Sequence, residues 1–189
     1  MVKWQITNIN TVVYFNVPIK LGLLADKICK DYVISYYPED FPGLVIYLDK
    51  FKISIFRTGS ITITGIKKVE DLIPSVDEVR NLLKKYNVNL PEKYKLEIVN
   101  SSIIGKFDYD KIDIERMGIE LENAIYDPER FLAVIVYYNI SPDYKVSFNI
   151  FKNGTFVGAG FKSEPNMLIQ HIDQIVNSFQ ENIVKKYAK

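Results

Sequence analysis

Groups able to do acid–base, nucleophilic or metal chemistry are few and scattered in this sequence. The only histidine, His171, falls beside the apolar stripe of a C-terminal helical segment, the place of a boundary residue and not of a base or ligand. Cys29 is the only cysteine, which excludes an internal disulfide, and no partner for nucleophilic chemistry is evident near it. Asp108, Asp110, Asp113 and Glu115 cluster, but they lack the glycine and terminal glutamate of a calcium loop; acids gathered at a helix start explain them. Gly154, Gly158 and Gly160 do not form a dinucleotide fingerprint. What stands out instead is a set of four phenylalanines, Phe41, Phe56, Phe131 and Phe151, in two matching local settings. With no catalytic constellation in evidence, neither an enzyme nor a cofactor is expected.

The matching settings come from an internal duplication. Tyr36, Pro38, Glu39, Phe41, Val45 and Tyr47 recur at an offset of 90 as Tyr126, Pro128, Glu129, Phe131, Ile135 and Tyr137. Ile55-Phe56-x-x-Gly59, Gly65 and Lys67 recur at an offset of 95 as Ile150-Phe151-x-x-Gly154, Gly160 and Lys162. One period spanning half the chain is too long for a solenoid. Two copies of one unit, residues 1–90 and 91–189, related by approximate two-fold symmetry, account for it.

Hydrophobic residues make up 48% of the 189, enough for one sizeable core or two fused smaller ones. No apolar run reaches the length of a membrane span and no signal-peptide pattern opens the chain, so an intracellular, soluble protein without a membrane partner is expected. Net charge is +1, with 12 basic and 9 acidic groups in residues 1–91 and 12 and 14 in residues 92–189. Neither half has the strongly basic balance of a typical nucleic-acid binder.

The elements that must position the phenylalanines follow one order in each half: strand, helix, several strands, helix. Ile6 to Val13 and Leu96 to Ile104 read as half-buried strands. Leu21, Leu24, Ala25 and Ile28 fall at helical spacing, repeated by Ile114, Met117, Gly118 and Leu121. Leu44 to Leu48 and Val134 to Tyr138 are apolar runs of strand length. Within Lys52 to Ile66, Ile53, Ile55, Ile61 and Ile63 point one way, while Ser54, Phe56, Thr62 and Thr64 point the other. Turns at Arg57-Thr58-Gly59 and Lys152-Asn153-Gly154 join the paired strands. Pro74-Ser75 with Glu78 predicts a capping box ahead of Val76, Val79, Leu83 and Tyr86; Pro165 opens a last helix carrying Leu168, Ile172, Ile175, Phe179 and Ile183. Asn87 to Lys95 is the junction between copies.

The predicted class is therefore α+β: an antiparallel sheet with helices on one face and the other face open. By alternation the open face carries Asn8, Asn10, Ser54, Phe56, Thr62 and Thr64 from the first copy, and Asn100, Ser102, Asn149, Phe151, Val157 and Ala159 from the second. Core positions are the ordinary reading of a phenylalanine, but the symmetry of the four and the phase of Phe56 and Phe151, opposite to the core isoleucines, favour surface rings.

These residues resemble the TATA-box-binding protein family, whose repeat runs approximately Tyr-x-Pro-Glu-x-Phe-Pro-Gly-Leu, then Ile-Phe-x-Ser-Gly-Lys, then Thr-Gly-Ala-Lys. The first copy has Tyr36-Tyr37-Pro38-Glu39-Asp40-Phe41-Pro42-Gly43-Leu44, Ile55-Phe56-Arg57-Thr58-Gly59-Ser60 and Thr64-Gly65-Ile66-Lys67. The second has Tyr126-Asp127-Pro128-Glu129-Arg130-Phe131-Leu132-Ala133-Val134, Ile150-Phe151-Lys152-Asn153-Gly154-Thr155 and Ala159-Gly160-Phe161-Lys162. The resemblance implies a saddle: two direct repeats forming one curved antiparallel β-sheet with four helices on the convex face. It also implies a transcription initiation factor that binds and bends double-stranded A·T-rich promoter DNA from the minor groove, in whatever compartment holds the DNA. Phe41, Phe56, Phe131 and Phe151 would be the wedges. Asn8, Asn100, Thr64 and Val157 would contact the groove floor. Asp127 and Glu129, in the acidic turn of the second repeat, would help dock a transcription factor B type initiation factor and hence RNA polymerase; solvated turn residues are the alternative.

Departures from the family pattern cluster on the same face. Tyr47 and Tyr137 stand where the family has arginines, and Ser60 and Thr155 where it has lysines, which removes up to four phosphate contacts. Ser54, Asn149, Asn10 and Ser102 replace apolar groups, and Ala159 replaces a threonine. A diverged member with weakened or re-targeted DNA binding fits that pattern. A protein-interaction module on the same fold is the alternative, with an accessory domain of a nucleic-acid enzyme as a third.

Overall fold

A computed structural model describes residues 2–189. Among the described residues, ten strands and four α-helices follow the order read from the sequence. The first copy contains β1 (Lys3–Tyr14), α1 (Leu21–Ile28), β2 (Val33–Ser35), β3 (Gly43–Tyr47), β4 (Lys52–Phe56), β5 (Ser60–Ile66) and α2 (Leu72–Lys85). The second contains β6 (Lys95–Lys106), α3 (Ile114–Glu120), β7 (Ala124–Ile125), β8 (Val134–Ser141), β9 (Tyr144–Ile150), β10 (Thr155–Phe161) and α4 (Leu168–Asn182). Hydrogen-bonded neighbours run β2-β3-β4-β5-β1 in the first set and β6-β10-β9-β8-β7 in the second, antiparallel throughout.

The chain forms two compact units, residues 8–99 and residues 1–7 with 100–189. Strands β1 and β6 therefore each contribute to both. In the first unit, Ile53, Ile55, Ile61 and Ile63 are fully buried, and the stripe of Leu24, Ala25 and Ile28 on α1 and Val76, Val79 and Leu83 on α2 is buried with them. The period of two in the strands and of 3.6 in the helices aims both sets at one apolar layer. In the second unit the layer is aromatic: Phe148 of β9 stacks on Phe179 of α4 at 4.1 Å, and Phe107 stacks on Phe156 of β10 at 4.3 Å. Such offset pairs add to the gain from area burial alone.

Helix boundaries differ from the sequence expectation. The capping box at Pro74-Ser75 does not form: a 3₁₀ turn at Val69–Asp71 leads into α2, which begins at Leu72. Ser75 lies inside the helix, buried, and its hydroxyl donates back to the Leu72 carbonyl at 2.7 Å. Leu121 and Ile183 close α3 and α4 as C-cap residues and are not part of their buried stripes. Pro165 does open a helical segment, a 3₁₀ turn ahead of α4. Asp113 caps α3 by accepting from the Arg116 amide, so part of the acidic cluster is a helix start.

Both hairpin turns are closed by a glycine at positive φ. Gly59 and Gly154, at φ 84° and 80°, donate to the Phe56 and Phe151 carbonyls at 2.9 and 3.0 Å. A side chain at either would collide with the neighbouring loop: an added Cβ would lie 2.3 Å from the Val17 oxygen or 2.0 Å from the Tyr109 oxygen. Only glycine satisfies both demands.

Candidate nucleic-acid interface

The face opposite the helices is built from matched cross-strand rows. In the first copy one row reads Val45, Ser54, Thr62 and Val12, and the next Tyr47, Lys52, Thr64 and Asn10. The second copy repeats them as Ile135, Asn149, Val157 and Ile104, then Tyr137, Ser147, Ala159 and Ser102. The open-face residues expected from alternation are all there and half-buried. Four apolar members, Val12, Val45, Ile104 and Ile135, were not among them. They too alternate with core residues, so their phase was readable, but an apolar type suggested the core.

The two phenylalanine pairs sit at the turn end of these rows. Phe41 lies edge-on to Phe56, with centroids 5.6 Å apart and planes at 69°; Phe131 and Phe151 repeat this at 6.0 Å and 73°. Phe41 and Phe131 are each 40% exposed, while their partners are half-buried. Each pair is thus one ring supported from the side by another, with an apolar edge facing solvent. Gly43 fits against the first pair, since an added Cβ would stand 2.6 Å from the Phe41 ring; its counterpart Ala133 goes with the slightly wider second pair.

At the other end of the rows each copy has a β-bulge. The register between β1 and β5 skips Gly65, and that between β10 and β6 skips Gly160. Both glycines have positive φ, 112° and 97°, the conformation of an unpaired bulge residue. The amide left over is taken by an asparagine: Gly65 N–H donates to Asn8 Oδ1 and Gly160 N–H donates to Asn100 Oδ1, both at 2.8 Å. An N–H can be accepted only by the carboxamide oxygen, so each asparagine has its orientation set and its NH₂ group turned away from the glycine amide. Asn8 gives one of those hydrogens to Asn10 Oδ1 at 3.0 Å. In the second copy the position of Asn10 is Ser102. The repeat motif contains both glycines and the strand alternation both asparagines, yet their pairing is a consequence of the bulge.

Lys52 of the second row is exposed, while other cations near the face are engaged. Lys145 lies over the Tyr137 ring at 5.1 Å, and Lys162 over Tyr144 at 5.0 Å. Lys152, in the turn after Phe151, pairs with Glu115 at 2.7 Å, and that hydrogen bond raises its pKa. The acidic turn of the second repeat is exposed: Asp127 accepts from the Glu129 amide at 3.2 Å and faces Arg130 at 3.5 Å. Beside it a groove of about 890 Å³ is lined by Ile119, Tyr126, Pro128, Leu132 and Phe151 among others. His171 is a half-buried boundary residue of α4, stacked on Tyr144 at 5.8 Å, and Cys29 is exposed.

Comparison with known proteins agrees with this geometry. The profile of the family described as Transcription factor TFIID (or TATA-binding protein, TBP) matches residues 3–86 and 95–182, once per repeat. The TATA-box-binding protein of Pyrobaculum aerophilum is 34% identical over 95% of this chain and 87% of its own length. That of Pyrodictium occultum is 32% identical over 97% and 87%. Among solved structures, the TBP of Methanococcus jannaschii superposes with a TM-score of 0.74 at 25% identity, covering 95% of this chain and 99% of that one. With both repeats matched and relatives above 30% identity along most of the sequence, this chain belongs to the TATA-box-binding protein family.

Proposed function

We propose that this protein binds A·T-rich promoter duplexes from the minor groove and bends them, with repeats 1–90 and 91–189 each reading half of the site. The observation that carries the proposal is the orientation of Asn8 and Asn100. Tied by their oxygens to the bulge glycines, they offer donors. An A·T minor groove presents only acceptors, adenine N3 and thymine O2, so a fixed pair of donors suits it. Thr64 and Val157 lie on the same face. Phe41, Phe56, Phe131 and Phe151 supply the apolar edges that unstack a base step; TATA-box-binding proteins are themselves the standard example of such wedging.

Recruitment of a transcription factor B type partner, and through it RNA polymerase, is the second half of the proposal. The exposed carboxylates of Asp127 and Glu129 beside the apolar groove of Ile119 and Leu132 support it, because a docking surface combines a polar rim with apolar anchors. A protein-interaction module with little DNA affinity is the competing reading, favoured by Tyr47, Tyr137, Ser60 and Thr155 at the positions of lost cations.

A salt titration separates the two readings. Binding to an A·T-rich duplex is measured against a G·C-rich control for the wild type and for Phe41→Ala/Phe131→Ala. The proposal predicts a preference for the A·T duplex that the double substitution removes. Each phosphate contacted adds about 0.9 to the slope of log affinity against log salt, so the missing cations predict a shallow slope. No preference at low salt would leave the interaction module.

A further inference from the structure

Apart from the charge of Lys52 against Ser147, the matched rows differ in kind between the two copies only on β5 and β10. Across the matched rows, Ser54 and Asn149 are both polar, Asn10 and Ser102 are both polar, Lys52 and Ser147 are both polar, and Val12 and Ile104 are both apolar. On β5 and β10 the types diverge: Thr62 faces Val157 in the alignment of copies, and Thr64 faces Ala159. Thr62 and Val157 are near-isosteres that exchange a hydroxyl for a methyl. Both are half-buried on the open face, two residues from the start of their strands, and each is flanked by the matched neighbours named above.

The exchange of the Thr62 hydroxyl for the Val157 methyl matters for base reading. In the minor groove, A·T and G·C differ by one group, the guanine N2 amino donor. A methyl pressed against the groove floor leaves that donor without a partner, and a desolvated, unpaired donor is costly. A hydroxyl oxygen in the same place accepts from it. From this contrast we infer that the two repeats read their half-sites by different rules: the first repeat tolerates a G·C pair opposite Thr62, whereas the second, through Val157, requires A·T. The site preferred by this chain is therefore asymmetric in composition, which fixes the direction in which the protein sits on it. This inference rests on the DNA-binding reading above.

The test is a set of labelled duplexes: one site of A·T pairs only, and a series in which a single G·C pair is stepped through it. Affinities are compared for the wild type, Thr62→Val and Val157→Thr, with thermal melts as a check that the open-face substitutions leave the fold intact. For the wild type, a G·C pair is expected to weaken binding about tenfold in one half, the scale of one mismatched base pair, and far less in the other. Thr62→Val extends the penalty to both halves, and Val157→Thr relieves it in the strict half. Equal penalties in both halves of the wild type, or a profile that neither substitution moves, would overturn the inference while leaving DNA binding intact. Failure of the wild type to bind the all-A·T duplex at low salt would overturn both.

Discussion

The carboxamide oxygen of Asn8 accepts the backbone N–H of Gly65 at 2.8 Å, and this bond gives Asn8 two separable duties. Its oxygen satisfies the amide that the bulge leaves unpaired; its nitrogen gives one hydrogen to Asn10 Oδ1 and keeps the other for a ligand. Asn8→Asp keeps the acceptor and removes the donors. Unfolding free energy in urea should then stay within about 0.5 kcal/mol of wild type, because the Asn10 carboxamide that accepts from Asn8 can turn over and donate to the new carboxylate, while affinity for an A·T-rich duplex falls at least about tenfold. Asn8→Ala should lose both, with a stability cost of about 1 kcal/mol.

Ser101 offers a substitution that should stabilise. It is fully buried, and its hydroxyl has no hydrogen-bond partner among the described residues. An unsatisfied buried hydroxyl costs on the order of 1 kcal/mol, so Ser101→Ala should raise the unfolding free energy by about that amount. Denaturant melts decide it, and an unchanged or lower midpoint would show that the hydroxyl is satisfied.

Gly154→Ala should do the opposite. Both the positive φ and the approach of the Tyr109 carbonyl oppose a Cβ there, which predicts a loss of about 2 kcal/mol or more. Gly59→Ala should behave alike, since the Val17 carbonyl plays the same part in the first copy. Urea melts of the two variants should fall on the same side of wild type by similar amounts.

Tyr86 predicts an alkaline limit. Its hydroxyl donates to Asp31 at 2.5 Å, and that hydrogen bond is the main cause that pushes its pKa up to about 12 from an ordinary 10.0. A raised pKa in the folded state means that the contribution to stability is complete below the unfolded value and is lost as pH rises through the folded one. Between pH 10 and 12 the wild type should lose stability that Tyr86→Phe never had. Melts across that window should show the two proteins converging.

How much of this was legible in the sequence depends on the range of the interaction. The isoleucine alternation in β4 and β5 reads directly, because a period of two over several residues has one interpretation, and the duplication places its counterparts in β9 and β10. Strands β2 and β7, three and two residues long, are too short to carry a period. The α2 start was missed because Ser75 can cap a helix or bond back within one, and the 3₁₀ turn at Val69–Asp71 decides between them. The open-face identity of Phe56 and Phe151 was readable from phase. The bond from Gly65 to Asn8 was not, because it joins residues far apart in sequence through a bulge that no local pattern announces.

The most direct test of the central claim is the end-to-end distance of a doubly labelled A·T-rich duplex, measured by energy transfer with and without the protein. Bending by intercalated rings predicts a rise in transfer on binding by the wild type, reduced in Phe56→Ala/Phe151→Ala even at concentrations that saturate the duplex. Saturable binding with transfer unchanged from free DNA would contradict the wedging account.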